Sequence, residues 1–568
     1  MVQAPETYYR ISTSDRPPLR VGLLLDSRDQ LPAYAARIVD DIRASNFAQI
    51  KLLNVRKSSA STPPDEAQSA LYRLYLRVDA RRKPKDDPLA SVVCPKLLSE
   101  IESIEVQPAR EDGKQYFPDA AVEKIRSADL DVLLRFGFDG LTGEILHAAR
   151  YGVWSLEGGD SEFYRGWPTL LWELLENFSI SGMTLQAIGN ESGDGLVLEK
   201  SFFATEKTLS ASRNRFIPYW GSTNLVIRKL NELHRCGWNC LREKAIPPRP
   251  YAGKRNPYKI PTNLEMVRWL APALLRKAVS YPFRQPIVPH WRIAIRAESK
   301  PLYQWESESD LAGFRWIEAP RGHCYADPFG FEHEEKLWVF FEDYSYEKKH
   351  AGIACAEISK GGEMGLAISC LDHPTCHYSY PHVLRAGSEI FMIPESYDSN
   401  SVDLYRCKEF PNEWVHEQRL LEGKFVDTTV WEHDGIWWLA TTSAAPVPGA
   451  GSLLLFYSDS LRGQWHFHPA NPISTDIRTN RGAGRVFPSG QRLIRPSQSG
   501  VPFYGYSISF HEITELSTQH YSERVLKTVT PEYWKGLAGV HTSNRSGGFE
   551  FIDGQTFMPL KRVLSVKR

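Results

Sequence analysis

A change of texture near Pro289 predicts a multidomain protein in which an α/β domain precedes an all-β domain. Before that point, short apolar runs alternate with segments whose apolar residues recur at helical spacing, the pattern of strands joined by helices. After it, the helical periods disappear, and short strands rich in aromatic and β-branched residues follow. The length of 568 residues supports this division, because one hydrophobic core rarely extends over so long a chain.

The α/β domain is predicted over residues 18–242, after an N-terminal tail of residues 1–17. Three buried strands are predicted in "RVGLLLDS", "KLLNV" and "DLDVLLRFGF". The segments "LPAYAARIVDDIRAS" and "LTGEILHAARYG" show helical spacing. Strands that alternate with helices favour a parallel sheet covered on both faces.

Residues 243–288 are predicted to connect the two domains. The stretch "REKAIPPRPYAGKRNPYKIP" is rich in Pro and basic residues and poor in apolar ones, which is typical of a linker. An amphipathic helix is predicted next, in "TNLEMVRWLAPALLRKAVSY". Packing between the domains is the favoured role of this helix, and peripheral contact with a membrane surface is the alternative.

The all-β domain is predicted over residues 289–568. Five units share an order of polar motif, apolar stretch, turn and aromatic strand. They are "YADPFGFEHEEKLWVFFEDY", "YPHVLRAGSEIFMIPESY", "VDTTVWEHDGIWWLATTS", "GRVFPSGQRLIRPSQS" and "GVHTSNRSGGFEFIDGQTFM". Their regular recurrence predicts a five-bladed β-propeller, with the polar motifs at the central channel.

Composition excludes several classes of partner. The 68 basic and 68 acidic side chains balance, so no overall charge attracts nucleic acid. The sequence has no apolar run of the length that spans a bilayer and no signal-peptide core, so we expect a cytoplasmic protein without a transmembrane segment. The eight cysteines show neither metal-site nor disulfide spacing, and no metal is predicted. The oligomeric state is left open.

Three motifs in the first domain carry a resemblance to a known family. They are "GVWSLEGGDSEFYRG" from Gly152 to Gly166, "GMT" at 182–184 and "GDGLVL" at 193–198. Together they resemble the formyltransferase family, which includes methionyl-tRNA formyltransferase and sugar N-formyltransferases. The resemblance implies a Rossmann-like fold, 10-formyltetrahydrofolate as formyl donor, and a catalytic Asn, His and Asp.

Those family positions are occupied by other residues in this chain. The Asn position falls at Ser155, the His position at Glu157, and the Asp position at Gly193 with Asp194 one residue later. One interpretation is a transferase retuned to use Glu157, Asp160 or Asp194, with Arg165 in the same pocket. Two others remain open: a pocket that binds an activated sugar without chemistry, and a scaffold for the second domain.

The motifs "YADPF", "FFED", "MIPES" and "RPSQ" carry a second resemblance. They resemble the propellers of glycoside hydrolase family 43 and, more closely, the propeller-like region of plant glucosamine inositolphosphorylceramide transferases. The resemblance implies carboxylates from three blades that converge on the channel. Asp327 matches the first position, His382 is assigned to the second and Asp427 to the third, with Glu395 as a further carboxylate.

The two resemblances together predict a carbohydrate-active group-transfer enzyme of surface-polysaccharide or glycolipid biosynthesis that binds a sugar, nucleotide sugar or glycan. The predicted catalytic residues are Asp327, Glu395 and Asp427. The predicted substrate-binding residues are His382, Arg495, Gln498, His541 and Glu342. Three alternatives stay open: a folate-dependent amino-sugar N-formyltransferase, a glycoside hydrolase, and a non-catalytic glycan-binding scaffold.

Overall fold

The computed structural model describes residues 5–57, 69–93, 98–111, 113–189, 195–247, 249–280, 286–297 and 300–564. Within these ranges the chain forms two compact units. The N-terminal unit contains residues up to 279 together with residues 446–450, and the C-terminal unit contains the residues from 280 to 445 and from 451 onward. The boundary therefore lies inside the segment predicted to connect the domains.

A seven-stranded sheet forms the centre of the N-terminal unit, in the order β12-β11-β10-β8-β1-β3-β5. The strands of this unit are β1 (Leu19–Leu25), β2 (Gln30–Pro32), β3 (Ala48–Arg56), β4 (Ser91–Val93), β5 (Glu102–Val106), β6 (Ala109–Glu111), β7 (Lys114–Tyr116), β8 (Val132–Arg135), β9 (Leu141–Thr142), β10 (Val153–Gly158), β11 (Ile180–Ala187) and β12 (Leu196–Ala204). The five strands from β5 to β10 in that order pair in parallel. Strands β11 and β12 are antiparallel, so the predicted parallel sheet has a mixed edge.

Helices pack around this sheet, and some include residues that the sequence assigned to a tail or a linker. The helices of the unit are α1 (Pro5–Tyr8), α2 (Ala33–Arg43), α3 (Ala70–Asp79), α4 (Asp119–Ser127), α5 (Trp172–Leu175), α6 (Ala211–Asn214), α7 (Phe216–Glu243) and α8 (Asn263–Ser280). The predicted tail is part of the unit, since Arg10 forms an ion pair with Asp41 at 2.6 Å. The basic stretch after α7 also packs locally, because the Tyr258 N–H donates to the Arg165 carbonyl at 2.7 Å.

The C-terminal unit consists of five antiparallel sheets. Its strands are β13 (Ile287–Ala297), β14 (Arg315–Ile317), β15 (His323–His333), β16 (Lys336–Ser345), β17 (His350–Ile358), β18 (Ile368–Leu371), β19 (Ser379–Ala386), β20 (Glu389–Glu395), β21 (Ser401–Glu409), β22 (Glu413–Glu422), β23 (Phe425–His433), β24 (Ile436–Ser443), β25 (Ser452–Ser458), β26 (His466–Phe467), β27 (Arg481–Gly482), β28 (Phe487–Ser489), β29 (Arg492–Ser499), β30 (Ser507–Leu516), β31 (Tyr521–Val529), β32 (Ser543–Ser546) and β33 (Phe549–Pro559). A short helix, α9 (Leu560–Leu564), follows them.

The five sheets follow one another along the chain, and we number them I to V. Sheet I joins β13 and β14 to β32 and β33, sheets II, III and IV contain β15–β18, β19–β22 and β23–β26, and sheet V contains β27–β31. Sheet I therefore combines the first and last strands of the unit. Apolar clusters join I to II, II to III, IV to V, and V back to I. Each sheet thus buries apolar side chains against a neighbour.

The pairing of β13 with β33 places a buried ion pair inside sheet I. Arg296 donates to Glu550 from Nε at 2.9 Å, and both side chains are almost fully buried. The other Glu550 oxygen accepts the Leu302 N–H at 2.8 Å. Neither charge reaches water, so each depends on the other for compensation.

Glu550→Gln is expected to lower the free energy of unfolding of the C-terminal unit by about 3 kcal/mol, because it leaves the Arg296 guanidinium buried without a counter-charge. Urea unfolding followed by fluorescence measures this change. Glu413→Gln is the matched control, since Glu413 pairs with Lys408 at 3.7 Å on the exposed surface and its loss should cost less than about 1 kcal/mol. Equal effects of the two substitutions would contradict the assignment.

Candidate carboxylate site

Sheets II, III and IV open with the same irregular backbone step. Strand pairing skips a pair of residues after Ala326, after Ser379 and after Val426. The residue that begins each skipped pair has positive φ: 52° at Asp327, 45° at Tyr380 and 53° at Asp427. Non-glycine residues rarely adopt this conformation, so its recurrence at matching places in three sheets marks one conserved geometry within the fold.

These steps bring side chains from different sheets into contact. The Tyr380 N–H donates to Asp327 Oδ2 at 3.2 Å, and the Asp427 N–H donates to Glu395 Oε2 at 3.0 Å. The Tyr380 hydroxyl donates to the Gly484 carbonyl at 3.1 Å, in the segment between β27 and β28 of sheet V. Asp327, Tyr380 and Asp427, which lie on the first strands of sheets II, III and IV, therefore face a common centre. We call this centre the carboxylate site.

Asp327 lies deep in the carboxylate site, with about 7% of its side chain exposed. The Thr542 hydroxyl donates to its Oδ1 at 2.7 Å. Burial raises the pKa of Asp327 to about 7, while the nearby His541 opposes the rise. This carboxyl group therefore changes its charge near neutral pH, as a general base does.

His541 is held as a cation beside Asp327. Its Nδ1 lies 2.6 Å from Asp553 Oδ2, and its Nε2 lies 3.7 Å from Asp327 Oδ1. Burial works against the charged ring, but the carboxylates of Asp553 and Asp327 prevail and raise the pKa of His541 to about 9. The Trp291 ring stacks on the imidazole with centroids 3.9 Å apart, which fixes its plane.

Asp427 forms the second acidic centre of the site. Its Oδ2 accepts Arg481 Nε–H at 2.5 Å and the Gln498 amide at 3.2 Å. Next to it, burial and the charge of Asp427 raise the pKa of Glu395 well above its usual range. Asp427 is thus compensated by a guanidinium, whereas burial favours the uncharged form of Glu395.

Tyr504 joins the two acidic centres and is 45% exposed. The Arg481 guanidinium lies 4.9 Å from the centre of its ring, and the ring meets His541 edge-on at 5.5 Å. At another edge of the site Glu342 lies 3.3 Å from His377 Nε2. Its charge and hydrogen bond raise the pKa of His377 against the effect of burial. The site therefore combines a buried acidic floor with partly exposed aromatic and basic groups.

Asp327, His541 and Asp553 each offer one ligand atom within 4.8 Å of the others, so they are a candidate cation site among the described residues. Asp553 Oδ1 accepts the backbone N–H groups of His541 and Thr542 at 3.0 Å each, which fixes the orientation of this carboxylate. A protonated His541 supplies positive charge between the two carboxylates, and its ring would have to lose that proton before it could bind a metal ion.

His382, which the sequence assigned to the second blade, lies outside this site. Tyr380 occupies the position equivalent to Asp327 and Asp427, two residues earlier in the chain. His382 Nε2 instead bonds to the Val430 carbonyl at 2.8 Å, and burial lowers the pKa of the imidazole to about 3. It is a neutral packing residue between sheets III and IV.

The other predicted binding residues divide in the same way. Gln498, His541 and Glu342 lie at the carboxylate site, as described above. Arg495 instead pairs with Glu523 at 2.7 Å and donates to the Thr479 carbonyl at 3.3 Å. It therefore fastens the segment that precedes Arg481. Sequence reasoning missed Arg481, Tyr504, Asp553 and Tyr380.

The predicted pocket of the N-terminal unit is built from internal ion pairs. The Ser155 hydroxyl donates to Glu157 Oε1 at 2.5 Å, and Arg135 Nε donates to Ser155 at 2.9 Å. Arg135 also pairs directly with Glu157. Burial alone would raise the pKa of Glu157, but Arg135 and Ser155 lower it, so the carboxylate stays charged and is a weak base.

The remaining residues of that pocket have structural partners too. Asp160 forms an ion pair with Lys200 at 2.7 Å. Arg165 donates to the Ser161 carbonyl and lies 5.0 Å from the centre of the Tyr251 ring. Asp194 lies outside the described residues. With no imidazole and no amide donor at Glu157 and Ser155, this pocket does not fit formyl transfer from 10-formyltetrahydrofolate.

Comparison with known proteins matches residues of the C-terminal unit to one family model, and it also finds similar relatives. The model, described as glucosamine inositolphosphorylceramide transferase 1, N-terminal, covers residues 318–545. Glucosamine inositolphosphorylceramide transferase 1 of Arabidopsis thaliana is 34% identical over 206 residues, which are 35% of this chain and 26% of that protein. The protein of the same name from Oryza sativa subsp. japonica is 30% identical over 216 residues, 37% of this chain and 29% of that protein. The chain thus spans less than a third of these relatives.

Two solved structures are among those to which parts of the chain are similar. Glycinamide ribonucleotide transformylase 1 from Symbiobacterium toebii is 14% identical, covers 38% of this chain and 87% of its own, and has a TM-score of 0.26. The GH43_1 enzyme from Xanthomonas citri is 10% identical, covers 41% of this chain and 87% of its own, and has a TM-score of 0.32. The carboxylate site, apart from Asp553, therefore falls in a region similar to the N-terminal part of glucosamine inositolphosphorylceramide transferase 1.

Proposed function

We propose that this chain transfers a sugar from a nucleotide sugar to a lipid-linked acceptor in glycolipid biosynthesis, and that the carboxylate site carries out the transfer. The observation that carries the proposal is the convergence of Asp327, Glu395 and Asp427 from three sheets on one centre. The named relatives supply the class of acceptor, an inositolphosphorylceramide. We further propose that the five sheets are the blades of a propeller around this centre, which the packing of sheet V on sheet I supports.

In the proposed reaction a hydroxyl oxygen of the acceptor attacks the anomeric carbon of the donor sugar. A new carbon–oxygen bond forms as the bond to the leaving phosphate breaks, and the phosphate departs with the electron pair. Asp327 takes the hydroxyl proton, because burial raises its pKa to about 7 and makes the carboxylate a stronger base. Protonated His541 then stabilises the negative charge that remains on Asp553.

The second acidic centre serves to hold the sugar. Burial favours the uncharged form of Glu395, which can donate a hydrogen bond, whereas the Asp427 carboxylate accepts hydrogen bonds, so the pair distinguishes two kinds of neighbouring hydroxyl group. Tyr504 offers an exposed aromatic surface beside them. Together these groups suit a polyhydroxylated ligand with one polar face and one flatter face.

Incubation of the full chain with radiolabelled nucleotide sugars and inositolphosphorylceramide tests the proposal. Label in the lipid fraction, together with its loss in the Asp327→Asn variant, is the expected result. Release of free sugar without labelled lipid would identify a hydrolase instead. Saturable binding of the sugars without either product would identify a glycan-binding protein and overturn the proposal.

The rate of transfer is expected to fall about tenfold from pH 8 to pH 6. The pKa of Asp327 near 7 means that most of this group is an active base above pH 7 and is protonated below it. His541 stays cationic throughout, because its pKa lies near 9. Measurement of kcat across this range tests the assignment, and a rate that increases on acidification would contradict it.

A further inference from the structure

Helices α3 and α8 lie side by side on the N-terminal unit. Asn263, at the start of α8, accepts the Leu71 N–H at 2.9 Å at the start of α3. Further along, the rings of Tyr75 and Trp269 meet edge-on at 5.4 Å. Both helices bury their inner faces in one apolar cluster that includes Tyr72 and Met266. Both helices pack on this cluster through their inner faces. We call their outer faces, taken together, the two-helix surface.

Among the described residues, large apolar side chains of the two-helix surface are exposed. Leu74 is 56% exposed and Leu275 is 65% exposed. The set comprises Leu74, Val78, Leu264, Val267, Leu274 and Leu275. On each helix these residues recur at helical spacing, so they lie along one outer side. Scattered exposed apolar residues are ordinary, but several that recur along one side of a helix are typical of an interaction surface.

Cationic side chains surround the apolar ones. Exposed basic residues on and after α3 are Arg73, Arg77, Arg81, Arg82, Lys83 and Lys85, and exposed basic residues on α8 are Arg268 and Arg276. Arg73 and Arg77 flank Leu74 and Val78 directly along the helix. Among the described residues, acidic groups here are fewer than basic ones: Asp79 is buried against Ser212, Asp87 pairs with Lys83 and Arg215, Glu265 pairs with Arg255, and Asp86 is exposed. The surface is therefore both apolar and strongly positive.

An aromatic residue adds to the same region. Trp167 follows the loop "GVWSLEGGDSEFYRG" and is 41% exposed. Its ring meets Tyr72 of α3 edge-on at 6.3 Å. An indole ring with one side on apolar groups and the other in water is typical of residues at a membrane–water interface. The loop thus places a partly exposed indole ring beside α3.

We propose that the two-helix surface binds the face of an anionic lipid bilayer. Exposed leucines and valines between arginines match the two parts of such a surface, acyl chains below and negatively charged headgroups above. No helix in the described part of the chain is long and apolar enough to cross a membrane. The surface would hold the chain at the bilayer, with the apolar side chains inserted among the headgroups. This inference does not depend on the identity of the reaction at the carboxylate site.

Sedimentation of the full chain with lipid vesicles tests the proposal. We expect binding to vesicles of phosphatidylcholine with phosphatidylserine, and much weaker binding to phosphatidylcholine alone. Arg73→Gln combined with Arg77→Gln should weaken binding about 25-fold, because each cation near an anionic surface contributes about fivefold. Leu274→Gln combined with Leu275→Gln should weaken binding at every salt concentration, whereas the loss from the arginine variant should shrink as added salt screens the charges.

Matched controls separate this surface from general charge and hydrophobicity. Lys360→Gln with Lys535→Gln removes two exposed cations from the C-terminal unit, and Leu366→Gln removes a leucine that is 90% exposed there. Neither control should change vesicle binding. Failure of the unaltered chain to bind anionic vesicles, or an equal loss in the controls, would overturn the proposal. So would a dimer in solution that Leu274→Gln with Leu275→Gln converts to a monomer, since the occupant would then be a second copy. Thermal unfolding of every variant should match the unaltered chain, because the substituted side chains are exposed.

Discussion

Asp327→Asn is expected to lower kcat for sugar transfer by about 10²- to 10⁴-fold, the usual contribution of a general base. The amide has nearly the same shape as the carboxyl group, but it cannot accept the proton of the acceptor hydroxyl. The Thr542 hydroxyl can still donate to the retained oxygen, as it does at 2.7 Å in the present chain. Steady-state kinetics with a nucleotide sugar and a lipid acceptor measure the change, and KM for the donor should change little.

The same substitution should leave the fold intact, which separates lost chemistry from unfolding. Burial raises the pKa of Asp327 to about 7 from an ordinary value near 4. Above pH 7 Asp327 is charged in both the folded and the unfolded chain, but only folding removes this charge from water. The free energy of unfolding is lowered by that desolvation, and the effect disappears on acidification as Asp327 becomes protonated. Asparagine removes the cost, so the variant should be no less stable at pH 8, apart from the weakened bond to the Tyr380 N–H.

A matched carboxylate in the same sheet provides the control. Asp343 lies on the neighbouring strand β16 and contacts His323 at 2.7 Å, away from the carboxylate site. Asp343→Asn should leave kcat within about twofold of the unaltered chain. If Asp327→Asn retained full activity while Asp427→Asn lost it, the base would be Asp427 and the proposed roles of the two acidic centres would be exchanged.

Local sequence signals located the two aspartates of the site but could not locate what surrounds them. "DP" and "DT" follow short aromatic or apolar stretches at matching places in two units. Both aspartates lie on the first strand of their sheet. In sheet III the same place is occupied by Tyr380. The sequence prediction therefore assigned the polar group of this sheet to His382, two residues later. The backbone step that shifts the pairing register there has no local sequence mark apart from the following proline.

Arg481, Tyr504 and Asp553 were missed for a different reason. Arg481 and Tyr504 lie in segments that only the packing of sheet V brings to Asp427. Asp553 lies in the last long strand, "FEFIDGQTFMP", where an aspartate between apolar residues was a usable signal. Such a carboxylate needs buried partners, and it finds them in His541 and two backbone N–H groups.

For the N-terminal unit, periodicity predicted β1, β3, β8 and α2, but the helix predicted in "LTGEILHAARYG" is wrong: Leu141–Thr142 form β9, and Glu144–His147 form a single 3-10 turn. Periodicity also could not predict the partners of the polar residues. Glu157 is neutralised by Arg135, which ends β8, the neighbouring strand in the sheet. A residue at the end of one parallel strand reaches the next strand only through the sheet register, which sequence spacing does not encode. The segment from Gly152 to Gly166 therefore contains strand β10 with Glu157 held in an internal ion pair.

Arg481→Met is expected to lower the free energy of unfolding of the C-terminal unit by about 2 to 3 kcal/mol at pH 8. The substitution leaves the Asp427 carboxylate, which has only 3% of its side chain exposed, without the guanidinium at 2.5 Å. Breaking a buried ion pair on one side is costly because the remaining charge stays desolvated. The value lies below the cost for a fully buried pair, since Arg481 itself is 24% exposed. Denaturant unfolding measures the loss.

The double variant Arg481→Met with Asp427→Asn decides whether the pair stabilises the fold or only compensates for itself. If Arg481 is present to neutralise Asp427, removal of both charges should recover most of the stability that Arg481→Met loses, because no unpaired charge remains. Sugar transfer should stay low in the double variant, since Asp427 is needed to hold the sugar. Arg524→Met, which breaks the exposed pair with Glu512 at 2.7 Å, should cost less than about 1 kcal/mol. The opposite outcome is a double variant that is less stable than Arg481→Met alone. It would show that Asp427 stabilises the site through Gln498 and the backbone, independently of Arg481. Charge compensation would then not explain why an arginine lies beside the proposed sugar.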